Sequence, residues 1–226
     1  MELSTIVSWI GTIIGFILNL TPITMFYNIY LEKESIEIVP ESMLIFNILC
    51  PSLWACYWWL QVGRIVPFIS AISGVMLSEI FSLFYLFYYA EKNIKKYLIY
   101  AFIEINLVLE FNYIFLCIIS DYSVIGTIAV VINIINYIAP GQNLVKVIME
   151  RNYKLIPITT TLVGVSCSLS WLSFGIIIRD IKTIIPNTLG LIFSTMNSII
   201  WVFFYCSRDK NEDENEEMSG PEDEEV

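Results

Sequence analysis

Seven long apolar runs constrain the fold of this chain more than any other feature of its sequence. A hydrocarbon core of about 30 Å takes about 20 helical residues to cross, and every run reaches that length. Five of the seven runs contain no charged residue. We therefore predict an all-α membrane protein with seven transmembrane helices, at about residues 6–30, 43–62, 65–90, 97–120, 122–145, 155–178 and 183–207.

Charge is concentrated at one end of the sequence. Only 15% of the residues are charged, against about 25% in soluble domains, and the mean hydropathy is +0.70. The formal net charge of -10 comes from residues 209–226, which hold ten acids and one base. This segment lacks the apolar residues needed for a core, so we expect residues 208–226 to form a disordered cytosolic tail. An acidic docking segment is the alternative.

Basic residues between the runs predict the orientation in the membrane, because Lys and Arg favour cytosolic loops. With the N-terminus outside, the cytosolic segments hold nine Lys and Arg residues and the outer segments hold three. This asymmetry predicts an outer N-terminus and a cytosolic C-terminus. The plasma membrane is the expected location.

Several functional classes lack their usual residues here. Histidine is absent, the five cysteines form no CxxC pair, and no P-loop, G-x-S-x-G or H-E-x-x-H motif occurs. The commonest metal ligand and general base are therefore missing. We expect no enzyme activity, catalytic residue, cofactor, metal site or nucleic-acid partner. Membrane lipid is an expected partner, and the sequence does not distinguish a monomer from a homo-oligomer.

The runs contain an internal repeat. Proline pairs 18 and 17 residues apart stand at the start of each half, at Pro22 and Pro40 and again at Pro140 and Pro157. Trp54 is matched by Trp171, and a glycine follows each about 20 residues later. A fourth helix between two three-helix units restores their direction, which predicts parallel repeats in a 3+1+3 arrangement. The predicted units are residues 5–90, the linker helix 97–120, and residues 122–207.

These motifs resemble the SWEET family of sugar transporters over about residues 5–207. The family pattern is a proline in the first helix, a charged loop ending in proline, a Trp-x-x-Tyr in the second helix and an Asn-x-x-Gly opening the third. The first half has Ser35, Glu37 and Pro40 in its loop and then Trp54 and Tyr57. The second half has Trp171, Asp180 and the segment from Pro186 through Asn187 to Gly190.

Two departures concern the recognition motifs. Ala71 or Ile72 stands where the first half should have its asparagine, and Ser70 and Ser73 flank that position. In the second half, Trp171 is followed three residues later by Phe174 rather than by tyrosine. They bear on substrate identity more than on the fold.

The resemblance implies a substrate pocket near mid-membrane between the two halves. Tryptophan faces suit the C–H side of a sugar ring, and an asparagine amide offers two donors and one acceptor to hydroxyls. Ordinary packing or helix–helix contact is the alternative for each residue. The expected substrate-binding residues are Trp54, Trp171, Asn187, Cys50, Cys167, Leu18, Gly15, Asn133, Asn136, Ser70, Ala71 and Ser73.

The resemblance also implies moving parts. Tyr57 and Asp180 match positions that close the outer gate in the family. The hinge positions are four prolines, each of which removes a helical hydrogen bond or opens a helix: Pro22, Pro40, Pro140 and Pro157.

The implied function is facilitated diffusion of mono- or disaccharides by alternating access. Glu79, Glu104 and Glu110 lie inside predicted membrane helices, where acids are usually functional, but no histidine or acidic chain suggests a proton relay. A uniporter is therefore expected. The alternatives are an amino-acid transporter of the PQ-loop type, although neither Pro22 nor Pro140 is followed by glutamine, and a membrane scaffold without transport.

Overall fold

The structure, a computed structural model, describes residues 2–31, 41–61, 63–136, 144–145, 147–150, 156 and 158–218. Within these residues the regular structure is helical and contains no strand. The helices are α1 (Leu3–Asn19), α2 (Pro22–Leu31), α3 (Glu41–Leu60), α4 (Ile65–Tyr89), α5 (Ile94–Tyr113), α6 (Tyr122–Asn136), α7 (Ile158–Ile178) and α8 (Ile181–Met218), with a π-helical segment, Ile114–Ile119, directly after α5.

The prediction of an all-α membrane protein is confirmed. In the described part of the chain, five helical stretches are long and apolar enough to cross a membrane, and two shorter apolar helices, Leu44–Leu60 and Tyr122–Asn136, accompany them. Large apolar side chains such as Phe102, which is 70% exposed, cover the outside. In water this surface would be unfavourable, but lipid solvates it. The protein is therefore an integral membrane protein.

The first predicted run is divided at a proline. We expected one helix over residues 6–30, but α1 ends at Asn19 and α2 begins at Pro22. Proline lacks the N–H that a continuous helix needs and is favourable at the first position of a new one. The Thr21 hydroxyl and the Thr21 backbone N–H both donate to the Leu18 carbonyl, at 2.8 Å and 3.1 Å, and so stabilise the end of α1 at this break.

The last helix is longer than expected. It continues to Met218, so residues 208–218 are helical where we predicted a disordered tail. Helix propagation adds one hydrogen bond for each residue fixed, and the Glu and Lys residues of this segment are good helix formers. Residues 219–226 lie outside the described residues.

Helix packing follows a crossed pattern. Within each predicted half the second and third helices pack together, α3 on α4 and α7 on α8. Between the halves, α1 packs on α7 and α6 packs on α3. The first helix of each half therefore contacts the second helix of the other half. This exchange supports the parallel repeats, whose exact boundaries stay a prediction.

A buried cluster occupies the junction of the two halves. Leu53, Cys56 and Tyr57 of α3 pack there with Ile125 of α6 and Phe174 of α7. Each of these side chains is at most 1% exposed. This cluster fixes the position of α3 against the second half and therefore the positions of the tryptophans beside it.

Candidate functional site

A cavity of about 290 Å³ lies between α1, α3, α4, α6, α7 and α8. The predicted substrate-binding residues meet there, with one exception. Those that line the cavity are Gly15, Leu18, Cys50, Trp54, Ser70, Ala71, Asn133, Asn136, Cys167, Trp171 and Asn187. The structure therefore brings these residues together around one cavity. Whether they bind a substrate stays a prediction.

Ser73 is the exception and does not line the cavity. Its hydroxyl donates to the carbonyl of Ser70 at 2.7 Å, so it bonds within its own helix. The structure also decides which residue stands in place of the missing first-half asparagine. Ala71 is 9% exposed and lines the cavity, whereas Ile72 is 37% exposed on the outer face of α4.

Trp171 is held against a flat part of α1. A Cβ built on Gly11 would lie 3.1 Å from Trp171 Cε2, and one on Gly15 would lie 3.8 Å from Trp171 Nε1 and 3.7 Å from Cys167 Sγ. The absence of side chains at Gly11 and Gly15 therefore lets the indole approach the helix closely. This packing leaves Trp171 little freedom to rotate.

A continuous chain of aromatic rings joins the two repeat-related tryptophans. Trp54 stacks on Trp58 with 6.2 Å between ring centroids, Trp58 meets Phe174 edge to face at 6.0 Å, and Phe174 meets Trp171 edge to face at 5.6 Å. Edge-to-face and offset pairs at these distances are favourable. The chain forms a rigid apolar layer at one side of the cavity. Phe174, which departs from the family tyrosine, takes part in it with a buried ring.

Amides supply the polar part of the lining. Asn187 donates its side-chain N–H to the Thr183 carbonyl at 2.7 Å, which leaves its oxygen and second N–H for another partner. Asn133 and Asn136, both on α6, also line the cavity. Hydroxyl and thiol groups from Ser70, Ser78, Thr183, Cys50 and Cys167 complete the polar surface.

Sequence reasoning missed several lining residues. Asn19, Asn47, Pro51, Trp58, Pro67, Ser78 and Thr183 also line the cavity. Asn19 is an amide within the first apolar run. An amide within an apolar run was the available signal, because a polar side chain in lipid needs a partner. Asn47 carried the same signal.

A hydrogen bond joins the two predicted gate residues beside Thr183, which lines one end of the cavity. The Tyr57 hydroxyl donates to Asp180 Oδ2 at 2.9 Å, and the Thr183 hydroxyl donates to the same oxygen at 2.6 Å. Asp180 also begins α8, because its Oδ1 accepts the backbone N–H of Lys182 at 3.3 Å. Arg179, with φ of 57°, forms the tight left-handed turn that brings α8 back against α7. We call this the gate end of the cavity.

Lys182 adds a second contact at the gate end. Its ammonium donates to the Ser123 hydroxyl at 3.0 Å and to the Ser123 carbonyl, and it lies over the Tyr57 ring at 5.9 Å. This contact joins α8 to α6, whereas the Tyr57–Asp180 bond joins α3 to the start of α8. No sequence motif marked Lys182 or Ser123.

Comparisons with known proteins agree with this geometry. The family model described as "Sugar efflux transporter for intercellular exchange" matches residues 123–210. The chain is 25% identical to the bidirectional sugar transporter SWEET7b of Oryza sativa subsp. japonica, over 92% of this chain and 81% of the relative. It is 26% identical to the bidirectional sugar transporter SWEET10 of Arabidopsis thaliana, over 89% and 71%.

Two further matches extend beyond plants and into structure. The sugar transporter SWEET1 of Dictyostelium discoideum is 25% identical, over 85% of this chain and 90% of the relative. The fold matches the 3.7 Å structure of a eukaryotic SWEET transporter with a TM-score of 0.73 and 20% identity, over 91% of this chain and all of that one. The chain is therefore similar in sequence to SWEET sugar transporters and shares the fold of one of them.

The resemblance to SWEET transporters implies hinges at four prolines, but the structure describes only one of them. Pro22 begins α2, directly after the break in the first predicted helix. Pro40, Pro140 and Pro157 lie outside the described residues. The hinge assignments therefore stay a prediction.

The acidic residues of the membrane helices do not line the cavity between the two halves. Glu104 of α5 accepts a hydrogen bond from Ser82 of α4 and lies on the wall of a separate apolar cavity between α3, α4 and α5. One oxygen of Glu79 and one of Glu104 are buried without a hydrogen-bond partner in the described part of the chain. Glu110 is exposed on the outside of α5. Neither Glu79 nor Glu104 lines the central cavity.

Proposed function

We propose that this protein transports mono- or disaccharides by facilitated diffusion, as a uniporter that works by alternating access. The observation that carries the proposal is the cavity between the two halves, in which Trp54 and Trp171 lie beside the amides of Asn133, Asn136 and Asn187. Aromatic faces suit the C–H side of a sugar ring, and amides can both donate to and accept from its hydroxyls. The named relatives are sugar transporters.

The gate end supports alternating access. The Tyr57–Asp180 hydrogen bond joins the two halves there, as expected of a gate, because a transporter must seal one end of its cavity while the other is open. The helical hydrogen-bond ladder is already interrupted between α1 and α2 at Pro22. The chain can therefore bend at this point beside the cavity without breaking a continuous helix.

The lining argues against the amino-acid alternative. None of the residues that line the cavity in the described part of the chain is charged. A zwitterion would lose its hydration there without gaining a charged partner, which is costly in a buried site. A neutral polyol exchanges hydrogen bonds with water for hydrogen bonds with amides. A sugar is therefore the better match.

The volume of the cavity favours a small sugar. About 290 Å³ is at the lower limit of the 300–1,000 Å³ typical of small-molecule pockets. We expect a hexose to be transported faster than a disaccharide. Purified protein in liposomes should take up labelled hexose to the outside concentration and no further. Uptake of amino acids instead, or no uptake of either, would exclude the sugar uniporter in favour of the PQ-loop or scaffold alternative.

Location and orientation are part of the same proposal. A plasma-membrane transporter with an outer N-terminus places the gate end outside and the acidic C-terminal segment in the cytosol. The motivation is the nine-to-three distribution of Lys and Arg. Protease added to intact cells should spare a tag placed after Val226 and should cleave one placed before Met1. The reverse pattern would overturn the orientation.

A further inference from the structure

The polar lining differs between the two predicted halves at equivalent positions. In the second half, α8 carries Asn187 three residues before Gly190, and the amide lines the cavity. In the first half, α4 carries Ala71 three residues before Gly74. Ala71 also lines the cavity, but its methyl group cannot form a hydrogen bond. The α4 wall therefore lacks an amide where the α8 wall has one.

Asn19 lies beside this gap. A Cβ built on Gly74, one turn from Ala71, would lie 3.3 Å from Asn19 Nδ2 and 3.1 Å from Pro51 Cβ. The missing side chain at Gly74 therefore lets the end of α1 approach α4 closely. This approach brings the Asn19 amide onto the cavity wall, close to the position at which α4 itself has no polar group.

The Asn19 amide is free to bind a ligand. Three other asparagines of the membrane helices donate to their own helix four residues back: Asn106 to the Phe102 carbonyl at 2.7 Å, Asn112 to the Val108 carbonyl at 2.8 Å, and Asn187 to the Thr183 carbonyl. Within the described residues no side-chain hydrogen bond satisfies Asn19, and this residue lines the cavity, so its amide is available to a ligand there.

We infer that Asn19 is a specificity-determining residue that binds a sugar hydroxyl from the first half, in the role that Ala71 cannot fill. The inference rests on the proposed sugar transport and deepens it. Sugar is then held by amides from both halves, Asn187 on α8 and Asn19 at the end of α1. Asn19 is also three residues before Pro22, so a sugar that binds it contacts the segment at which the first helix breaks.

The test compares deoxy sugars in liposomes that hold wild-type protein or Asn19→Ala. Competition of hexose uptake by a series of monodeoxy hexoses identifies the hydroxyls that matter. A lost hydrogen bond that leaves its partner unpaired weakens binding about 5- to 100-fold. We expect Asn19→Ala to raise the apparent KM for the hexose by about 10-fold. In the wild type, a deoxy hexose that lacks the hydroxyl bound by Asn19 should compete less well than the intact hexose. In Asn19→Ala this difference should disappear, because that hydroxyl no longer has its partner.

A second variant and a control make the test specific. Adding Ala71→Asn to Asn19→Ala places an amide on α4 at the position that matches Asn187. The apparent KM of this double variant should be at least 3-fold lower than that of Asn19→Ala alone. Asn106→Ala, whose amide bonds within an exposed part of α5, should leave uptake and the deoxy profile unchanged. All rates are divided by the amount of inserted protein.

Two failures are distinguishable. Wild-type protein that takes up no sugar overturns the proposed function itself. Wild-type protein that transports sugar, together with an Asn19→Ala variant of unchanged KM and unchanged deoxy profile, overturns only the role of Asn19. A purely structural role for Asn19 predicts less inserted protein with the wild-type deoxy profile, and that result would also overturn the inference.

Discussion

The hydroxyl of Tyr57 donates a 2.9 Å hydrogen bond to Asp180 across 123 positions of sequence at the gate end of the central cavity. The bond joins the second helix of one predicted half to the start of the last helix of the other. The donor ring is itself buried, with 1% of its surface exposed. The two halves therefore cannot separate at this end without breaking this bond.

Removing the Tyr57 hydroxyl should open the gate end more often. A hydrogen bond to a charged group contributes about 1.5–3 kcal/mol, so Tyr57→Phe should shift the closed-to-open ratio about 10- to 100-fold. The native thiol Cys167 on the cavity wall reports this shift when the exposed Cys117 and Cys206, and Cys50, which also lines the cavity, are replaced by serine. A membrane-impermeant thiol reagent applied from the gate side should label Cys167 faster in Tyr57→Phe.

The matched control for this experiment is Tyr122→Phe. The Tyr122 ring lies 6.5 Å from that of Tyr57 at the same end of the molecule and is largely exposed. Labelling of Cys167 should stay at its starting rate in this variant. Equal labelling rates in Tyr57→Phe and in the starting protein would show that the hydrogen bond does not hold the gate.

Gly126 controls the packing beneath the gate. A Cβ at this position would lie 2.6 Å from Tyr57 Cε2 and 2.7 Å from Lys182 Cδ. The Lys182 side chain can give way, but the buried Tyr57 ring cannot without losing its bond to Asp180. Gly126→Ala should therefore destabilise the closed state by about 1–3 kcal/mol, measured as faster labelling of Cys167 and a lower melting temperature.

Gly164→Ala is the control for the effect of an added methyl group. There the nearest atom is Ser194 Oγ at 3.1 Å, the end of a side chain that can rotate away. This variant should melt close to wild type and keep its labelling rate. A Gly126→Ala protein that behaves like Gly164→Ala would mean that the Tyr57 ring tolerates displacement.

We expect Asn187 to carry much of the polar recognition by the second half. One of its N–H groups is bound to Thr183, which leaves the other N–H and the oxygen for a substrate. Asn187→Ala should nearly abolish initial uptake per inserted molecule while leaving insertion intact. Trp171→Ala removes a large apolar surface from the cavity and should be at least as severe.

If Asn187 only stabilises helix packing, a different result is expected. Asn112 is the reference for such a packing role. Asn112 accepts a hydrogen bond from the Cys56 thiol at 3.3 Å and lies outside the cavity lining. Asn112→Ala should lower the amount of protein at the membrane with normal uptake per molecule. If Asn187→Ala behaves in that way, Asn187 is a structural contact rather than a substrate ligand.

Transport should not respond to an imposed pH gradient. The acids within the membrane helices, Glu79 and Glu104, lie on the α4–α5 side and do not line the substrate cavity. Glu104→Gln preserves an acceptor for Ser82 and should transport at the wild-type rate. Hexose accumulation above the outside concentration, driven by protons and lost in Glu79→Gln or Glu104→Gln, would replace the uniporter with a proton-coupled mechanism.

Much of the candidate site was predictable from the repeat together with the resemblance to SWEET transporters. Trp54 and Trp171 stand at matching positions of two repeats, and Cys50 and Cys167 stand one turn before them. Residues one turn apart share a helix face, so once one member of the set faces the cavity the others do as well. The same reasoning failed for Ser73, which is three residues from Ser70 yet lies at the edge of that face and bonds to its own helix.

The sequence by itself determined the membrane helices, the repeat and the matched tryptophans, because these depend on composition and periodicity along one segment. Only the tertiary structure decided that Asn19 reaches the cavity past Gly74, that Ala71 rather than Ile72 faces it, and that Lys182 bonds to Ser123. Those contacts depend on how far each helix is rotated and how closely its neighbour approaches. Close approach is set by glycines and side-chain volumes on separate helices together, and no single segment encodes it.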